Sequence, residues 1–200
     1  MKILLIITCL LLSSITQAQN IRDYGITKVR LNDPGKSVVM EILPTGKPKL
    51  RPDRLYYWFS GNTIHTTQGG YSGKLLNGDY NEYFPSKNLK DQGKFKKGLK
   101  DGLWKTWDES GALTQEITWS NGMKEGLFSI YGEHGEVKQS GTFRQNQLNG
   151  DILFYHGKDS VETKKFKAGV PLVPVAPSPS LWQKLKRFRF TKRDSVSKAG

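Results

Sequence analysis

Large apolar side chains recur through the middle of the chain at a fixed step. Four glycines, Gly78, Gly102, Gly126 and Gly150, mark a step of 24 residues. Large side chains keep this step two and five residues after each glycine and seven residues before it. They are Tyr80, Trp104, Phe128 and Ile152; Tyr83, Trp107, Tyr131 and Tyr155; and Tyr71, Phe95, Trp119 and Phe143. This periodicity predicts a repeat array, which we place at residues 56–171 as about five units.

Each unit of the array predicts two short β-strands. Residues 102–108 and 112–119 are rich in aromatic and β-branched side chains, and clusters of Gly, Asn, Asp and Ser separate them. The fold class is therefore all-β: an elongated, open antiparallel meander of repeated β-hairpins, with about ten strands. Dipeptides such as Asn77-Gly78 and Asp101-Gly102 predict that the four repeat glycines lie in hairpin turns with positive φ.

Two features of the units leave alternatives open. The three-residue gap between Trp104 and Trp107 does not fit an alternating strand. Either a β-bulge restores the register or the two rings lie on opposite faces of the sheet. The array also ends at Phe166 and Gly169, one residue short of its period.

The repeat unit resembles the MORN repeat, in the variant found in bacterial proteins of the Bacteroidetes type. The shared pattern is Gly-x-Trp/Tyr-x-x-Trp/Tyr, then Gly-x-Leu, then an aromatic residue followed by x-Asn-Gly-x-x-x-Gly. The best match lies between Trp104 and Gly126, and the pattern is broken at Asn146 and at residues 157–160. The resemblance implies a non-catalytic meander of antiparallel hairpins. Some bacterial relatives of this kind are described as antitoxins of toxin–antitoxin pairs.

The first eighteen residues have the pattern of a secretory signal peptide. An apolar run follows Lys2, and small residues precede a predicted cleavage site between Ala18 and Gln19. A lipoprotein signal that uses Cys9 is disfavoured, because the apolar run before it is short. We therefore expect an exported protein, periplasmic or associated with the cell envelope, which disfavours an antitoxin. Cys9 is the only cysteine, so the mature chain is expected to contain no disulfide bond.

The segments on either side of the array differ from it in composition. Residues 19–55 predict a hairpin around a type II turn at Asp33-Pro34-Gly35, followed by a Pro-rich connector with several cations. That connector is either an anion-binding loop or a solvated link, and we favour the link. Residues 172–180 form a Pro-rich linker, and residues 181–200 form a basic tail that is helical in one interpretation.

Charge is concentrated at the two ends of the chain. The whole sequence carries a net charge of +13, the array only +2 and the last twenty residues +6. The nearly neutral array argues against nucleic acid as a partner. Basic and aromatic side chains in the tail suit an anionic membrane surface, although a strand-edge cap or a solubilising end would explain them too. The membrane candidates are Trp182, Lys184, Lys186, Arg187 and Arg189.

The sequence favours a binding protein over an enzyme. The three histidines, His65, His134 and His156, do not share a metal-ligand spacing, and no nucleophile motif is present. We expect no catalytic residue, metal or cofactor. The favoured function is a binding or scaffold module for an envelope protein; glycan binding is the alternative. Both use the repeated rings, for which the surface candidates are Tyr80, Tyr83, Trp104, Trp107, Trp119, Tyr131 and Tyr155.

Overall fold

The computed structural model describes Gly25 and residues 27–44, 46–157 and 160–173. The predicted signal peptide, the linker beyond residue 173 and the basic tail lie outside these residues. The described residues form β-strands and no helix, and hence no helix that could cross a membrane. The strands are β1 (Thr27–Asp33), β2 (Lys36–Ile42), β3 (Leu55–Ser60), β4 (Thr63–Gln68), β5 (Lys74–Tyr83), β6 (Leu89–Lys96), β7 (Leu99–Trp107), β8 (Leu113–Ser120), β9 (Met123–Tyr131), β10 (Val137–Arg144), β11 (Gln147–Leu148), β12 (Gly150–Tyr155), β13 (Val161–Lys167) and β14 (Val170–Pro171).

The strands form one open antiparallel sheet, as the sequence predicts. Its order runs β1-β2-β5-β6-β7-β8-β9-β10-β12-β13-β14, so that nearly every strand pairs with its neighbour in the chain. The β3–β4 hairpin leaves this path and pairs with β5 through only two residue pairs. The regular succession of hairpins therefore begins at β5, and the unit that starts at Tyr56 is displaced from it.

Tight turns close one edge of the meander, but not at the four repeat glycines. Two-residue turns lie at Lys97-Gly98, Asn121-Gly122, Gln145-Asn146 and Ala168-Gly169, with positive φ at both positions of each turn. That geometry is the type I′ turn, whose twist matches the flanking strands. Gly78, Gly102, Gly126 and Gly150 do have positive φ, between 75° and 111°, but they lie within strands rather than in turns.

The residues before the repeat glycines bind the turn of the following hairpin. The side chains of Asn77, Asp101 and Glu125 accept hydrogen bonds from the backbone N–H groups of Lys97, Asn121 and Gln145. These dipeptides had predicted turns because Asn and Asp are common there. Their function here is to satisfy the turn stacked beside them, and a glutamate serves as well as an asparagine.

β-bulges explain why the last repeat unit is one residue short. The pairings place one extra residue in each of β6, β8 and β10, at Lys90, Thr114 and Lys138. No such residue is present in β13, where Val161 to Phe166 pair with β12 without a shift. The final unit is one residue shorter because it lacks this bulge.

The N-terminal hairpin is present, but its turn is of another type. Asp33 pairs with Lys36, which leaves Pro34 and Gly35 as the two turn residues. Gly35 does not have positive φ, whereas a type II turn requires it at that position. The predicted type II turn is therefore wrong. The hairpin pairs with β5 and forms the first edge of the sheet.

Candidate functional site

One face of the sheet, here called the front face, carries a continuous line of tightly packed side chains. Cross-strand pairs connect Tyr80 to Gly93, Trp104 to Ile117 and Ile117 to Phe128. This line, the core row, consists of Tyr80, Gly93, Trp104, Ile117, Phe128, Gly141 and Ile152. All its large side chains are buried. Large and small residues alternate along part of the row, which allows rings to lie over the backbone of the neighbouring strand.

A second line on the front face faces the repeat glycines. Phe95, Trp119, Phe143 and Phe166 pair with Gly78, Gly102, Gly126 and Gly150, respectively. We call it the ring row. Phe95 is buried, whereas the other three rings are half-buried. The ring row therefore becomes more accessible from β8 onward.

The β3–β4 hairpin explains this difference in exposure. Tyr57, Phe59 and Ile64 pack against the buried cluster that contains Leu76, Tyr80, Phe95 and Trp104. The ring of Tyr57 lies 4.9 Å from that of Phe95, centroid to centroid. The hairpin thus covers the first strands of the array, and the rings of Trp119, Phe143, Phe154 and Phe166 form the less protected continuation.

Two lysines lie over the rings of this front face. The Lys100 Nζ is 3.8 Å from the Trp104 ring centroid and 5.1 Å from that of Trp119. The Lys124 Nζ is 5.8 Å from the Trp119 centroid and 5.1 Å from that of Phe143. Such cation–π contacts stabilise each ammonium group. Burial lowers the pKa of Lys100, and neither lysine forms a salt bridge with a described carboxylate.

A third line borders the core row on its other side. We call it the polar row because six of its eight residues are polar. It consists of Glu82, Asp91, Thr106, Gln115, Ile130, Gln139, Phe154 and Glu162, joined by successive cross-strand pairs. Thr106 Oγ1 donates to Asp91 Oδ1 at 2.6 Å, and Gln115 Nε2 donates to Thr106 Oγ1 at 3.2 Å. Side chains of all three rows and Lys100 line a shallow depression of about 70 Å³.

A buried carboxylate begins the polar row. Glu82 accepts hydrogen bonds from Tyr80 Oη at 2.6 Å and from Lys90 Nζ at 2.9 Å. Burial alone would raise the pKa of Glu82, but these hydrogen bonds, together with the charges of Lys36 and Lys90, outweigh it and hold the pKa below its ordinary value. The same network, with burial as the larger cause, raises the pKa of the Tyr80 hydroxyl.

Replacing this carboxylate should destabilise the fold and flatten its acid response. We expect Glu82→Gln to lower the free energy of unfolding at pH 7 by about 1.5 kcal/mol, because charge-assisted hydrogen bonds are lost. A depressed native pKa gives stability above the unfolded pKa that is lost as pH falls through the native value. The wild type should thus lose more stability than the variant below about pH 4.5. Urea unfolding at pH 7 and pH 3.5 measures both effects. Equal losses in the two proteins would contradict the prediction.

The structure divides the predicted surface rings between two faces. Tyr80, Trp104 and Trp119 belong to the front face, where Tyr80 and Trp104 are buried and Trp119 is half-buried. Tyr83, Trp107, Tyr131 and Tyr155 share the other alternation of their strands and lie half-buried on the back face. Trp104 and Trp107 are therefore on opposite faces, which resolves the alternative left by their spacing.

The back-face rings have polar neighbours of their own. Tyr131 Oη donates to Glu116 Oε2 at 2.7 Å, and the Tyr155 hydroxyl lies 3.3 Å from the Ser140 hydroxyl. Lys105 pairs with Glu116 at 2.8 Å. Exposed leucines, Leu103 and Leu127, lie on this face as well. No single surface contains all seven predicted rings.

The sequence does not single out Lys100, Lys124, Gln115 and Gln139 as site residues. A signal for the lysines is nevertheless present in the repeat. The positions two residues before the repeat glycines are Leu76, Lys100, Lys124 and Leu148, so that cations occupy the two central units and leucines the outer two. Leu76 is fully buried. A cation at a position that elsewhere holds an apolar side chain indicates a specialised central surface.

The described residues contain no group of three or more His, Cys, Asp or Glu side chains that could hold a metal ion. His65 stacks on Trp58, with 4.3 Å between ring centroids, and His156 lies 3.4 Å from Glu162. No protein-family model matches the chain, and no curated protein is similar to it at a significant level. The resemblance to MORN repeats therefore rests on the repeat residues themselves.

Proposed function

We propose that the chain is a non-catalytic binding module of a bacterial cell envelope, built on MORN-like repeats, which holds a protein partner on the later half of its front face. The location rests on the signal-like residues 1–18. The observation that carries the binding function is the change along the front face: rings that the β3–β4 hairpin covers at one end continue as half-buried rings from Trp119 onward.

A protein partner suits this surface because it can supply a layer like the one the hairpin provides. A sheet with one apolar face needs another element packed on it. Ile130, Phe143 and Phe154 present apolar area between strands, and Lys100 and Lys124 provide cations above the rings. The depression beside Lys100, about 70 Å³, is much smaller than the clefts of roughly 300–1,000 Å³ that bind drug-sized ligands. A broad partner is therefore favoured over a small one.

A glycan is the second candidate, and the polar row favours it. The hydroxyl and amide groups of Thr106 and Gln115 lie beside the half-buried ring of Trp119. Rings flanked by hydrogen-bonding side chains can orient a sugar as well as a peptide. The buried state of Trp104 removes one of the rings that sequence periodicity offered for stacking.

Polar substitutions on the front face should weaken partner binding while the fold is kept. Thr106 occupies the same repeat position as Ile130 and Phe154, so Ile130→Thr with Phe154→Thr copies a residue that the array already contains. We expect about a tenfold loss of affinity, since two apolar contacts of the interface are removed. The immobilised protein is crosslinked to envelope fractions of the encoding organism, and the captured partner is titrated against each variant.

The matched control lies on the back face. Leu103→Asp with Leu127→Asp introduces the residue found at the equivalent positions Asp79 and Asp151. This pair should leave capture unchanged, although Leu127 is 70% exposed. Equal losses for both pairs would argue against the front face. Capture that disappears after muramidase treatment would favour the glycan.

A further inference from the structure

A recess lined by cations lies at the turn edge of the sheet, away from the front-face rings. The Pro-rich connector, residues 46–54, passes beside the first two-residue turn of the array. Together they enclose about 200 Å³, lined by Pro48, Lys49, Arg51, Tyr56, Lys96, Lys97, Leu99 and Asn121. Four of these eight side chains are cationic, and none is a carboxylate. The front-face function does not use this recess.

The connector is fixed in position by several contacts. The backbone N–H of Arg51 donates to Tyr56 Oη at 2.9 Å, and Leu50 packs against the cluster of Tyr56, Trp58, Leu75 and Leu99. The buried Arg54 donates from Nε to the Asn121 carbonyl at 3.0 Å, which ties the connector to the second turn. These contacts hold the backbone at Lys49 and Arg51 beside the turn that carries Lys96 and Lys97, while the four cationic side chains are exposed.

The cations of the recess are poorly compensated within the described residues. Asp53 is the nearest acid in the connector, and it is shared: it forms an ion pair with Arg54 and lies 3.5 Å from Arg51 Nε. No described carboxylate forms a salt bridge with Lys49, Lys96 or Lys97. Bringing like charges together raises the energy of the folded state unless an anion offsets them.

The repeat shows that the turn itself does not require these lysines. The equivalent pairs in the next two turns are Ser120-Asn121 and Arg144-Gln145. Only the turn beside the basic connector carries two lysines, and Lys97 takes a positive φ of 52° that asparagine accepts more readily. The cationic pair is thus located where it adds to the charge of the connector.

We propose that this recess binds a small phosphorylated ligand. Ammonium groups and the planar guanidinium of Arg51 suit the oxygens of a phosphate group, and Tyr56, Leu99 and Pro48 offer an apolar wall to a short carbon skeleton. A volume of about 200 Å³ admits a phosphate ester but not a larger cofactor. Because the cations surround a recess, a soluble ligand suits them better than a flat membrane surface does.

Binding is tested on the purified full chain with glycerol 3-phosphate and inorganic pyrophosphate by isothermal titration calorimetry. The wild type should bind with a saturable one-site isotherm that weakens as salt is raised. Lys96→Ser with Lys97→Asn, the residues of the next turn, should weaken binding at least tenfold without changing the melting temperature of the free protein. The matched control, Lys165→Thr with Lys167→Ser, removes the same charge from β13 and should bind like the wild type.

Three results would overturn the proposal. The first is that the wild type shows no saturable binding of either probe. The second is that both double variants lose affinity equally, which would indicate a response to net charge alone. The third is that the protein binds phosphatidylcholine vesicles containing phosphatidylglycerol but neither soluble probe. The recess would then be a membrane contact. None of these results bears on the front-face substitutions, so the two proposals fail separately.

Discussion

Trp104→Ala should lower the free energy of unfolding by about 3–5 kcal/mol, the range expected for truncating a buried tryptophan. Trp104 is only 4% exposed although it belongs to a single sheet. Its ring contacts Phe95 edge-on at 5.0 Å and Tyr80 at 5.6 Å between centroids, and its Nε1 donates to the Lys94 carbonyl at 3.2 Å. Truncation removes all these contacts from the cluster beneath the β3–β4 hairpin.

The loss should extend to Lys100. Its ammonium lies 3.8 Å from the Trp104 ring, and burial already lowers its pKa. Without the ring, a partly desolvated cation loses its closest favourable contact. Part of the expected loss therefore comes from the lost cation–π contact of Lys100 rather than from lost apolar area.

Trp107→Ala is the matched control for this prediction. The two tryptophans belong to the same strand and the same repeat unit, but Trp107 lies half-buried on the back face. Its truncation should cost about 1 kcal/mol. Thermal and urea unfolding of the two variants measure these losses of stability. We expect the melting temperature of Trp104→Ala to fall by roughly 10 °C. Losses of equal size would mean that the front face is not the packed face.

The fold class could be predicted from the sequence because its signal is local and repeated. Alternation within each run, the 24-residue step and the turn residues all favour the same antiparallel meander. The position of the turns could not be predicted as well. Asn-Gly and Asp-Gly are common in hairpins, yet Gly78 and Gly102 have positive φ because a bulged strand requires it.

Which rings meet across neighbouring strands depended on information that no single unit contains. The bulge residues Thr114 and Lys138 shift the register of one strand against the next, and this decides which rings meet. The covering hairpin β3–β4 looks like another repeat unit in sequence, since Tyr56 and Phe59 keep the 24-residue step. Its contact with the front face is tertiary, and hence the accessible surface could not be located from periodicity alone.

The candidate surface was predicted only in its chemical character. Aromatic side chains were expected to form it, and Trp119 does belong to it, but Lys100 and Lys124 become visible only once the repeat positions are aligned with the structure. A lysine in a strand ordinarily indicates a solvated position. Here the two lysines extend over rings, which is a consequence of where the next strand places those rings.

Gly93→Ala should destabilise the protein by about 3 kcal/mol, and Trp104 is the reason. A Cβ atom at position 93 would approach Cδ2, Cε2 and Cγ of the Trp104 indole more closely than van der Waals contact allows. The backbone itself does not require glycine here, because Gly93 has no positive φ. Ile117, 24 residues later, occupies the same position of the core row.

The effect of Gly93→Ala on stability should therefore change sign when the Trp104 ring is removed. In a Trp104→Ala background, Gly93→Ala should stabilise the protein by about 0.5 kcal/mol, since alanine restricts the unfolded chain more than glycine does. The double-mutant cycle should then give a coupling of about 3.5 kcal/mol, measured by urea unfolding of the four proteins. Additive effects would mean that Gly93 is needed for a reason other than the indole.

A second glycine of the core row shows why the ring matters more than the position. Gly141 lies 48 residues after Gly93, but a Cβ there would approach Cδ1 of Ile152, the end of an aliphatic side chain, most closely; Phe128 Cε1 at 3.2 Å and the Asp151 carbonyl oxygen at 3.3 Å are the next contacts. The Ile152 side chain is fully buried but can change rotamer at some cost, whereas an indole held by Phe95 and Tyr80 cannot. We expect Gly141→Ala to cost less than half as much as Gly93→Ala, because the rigidity of the neighbour rather than the glycine decides the penalty.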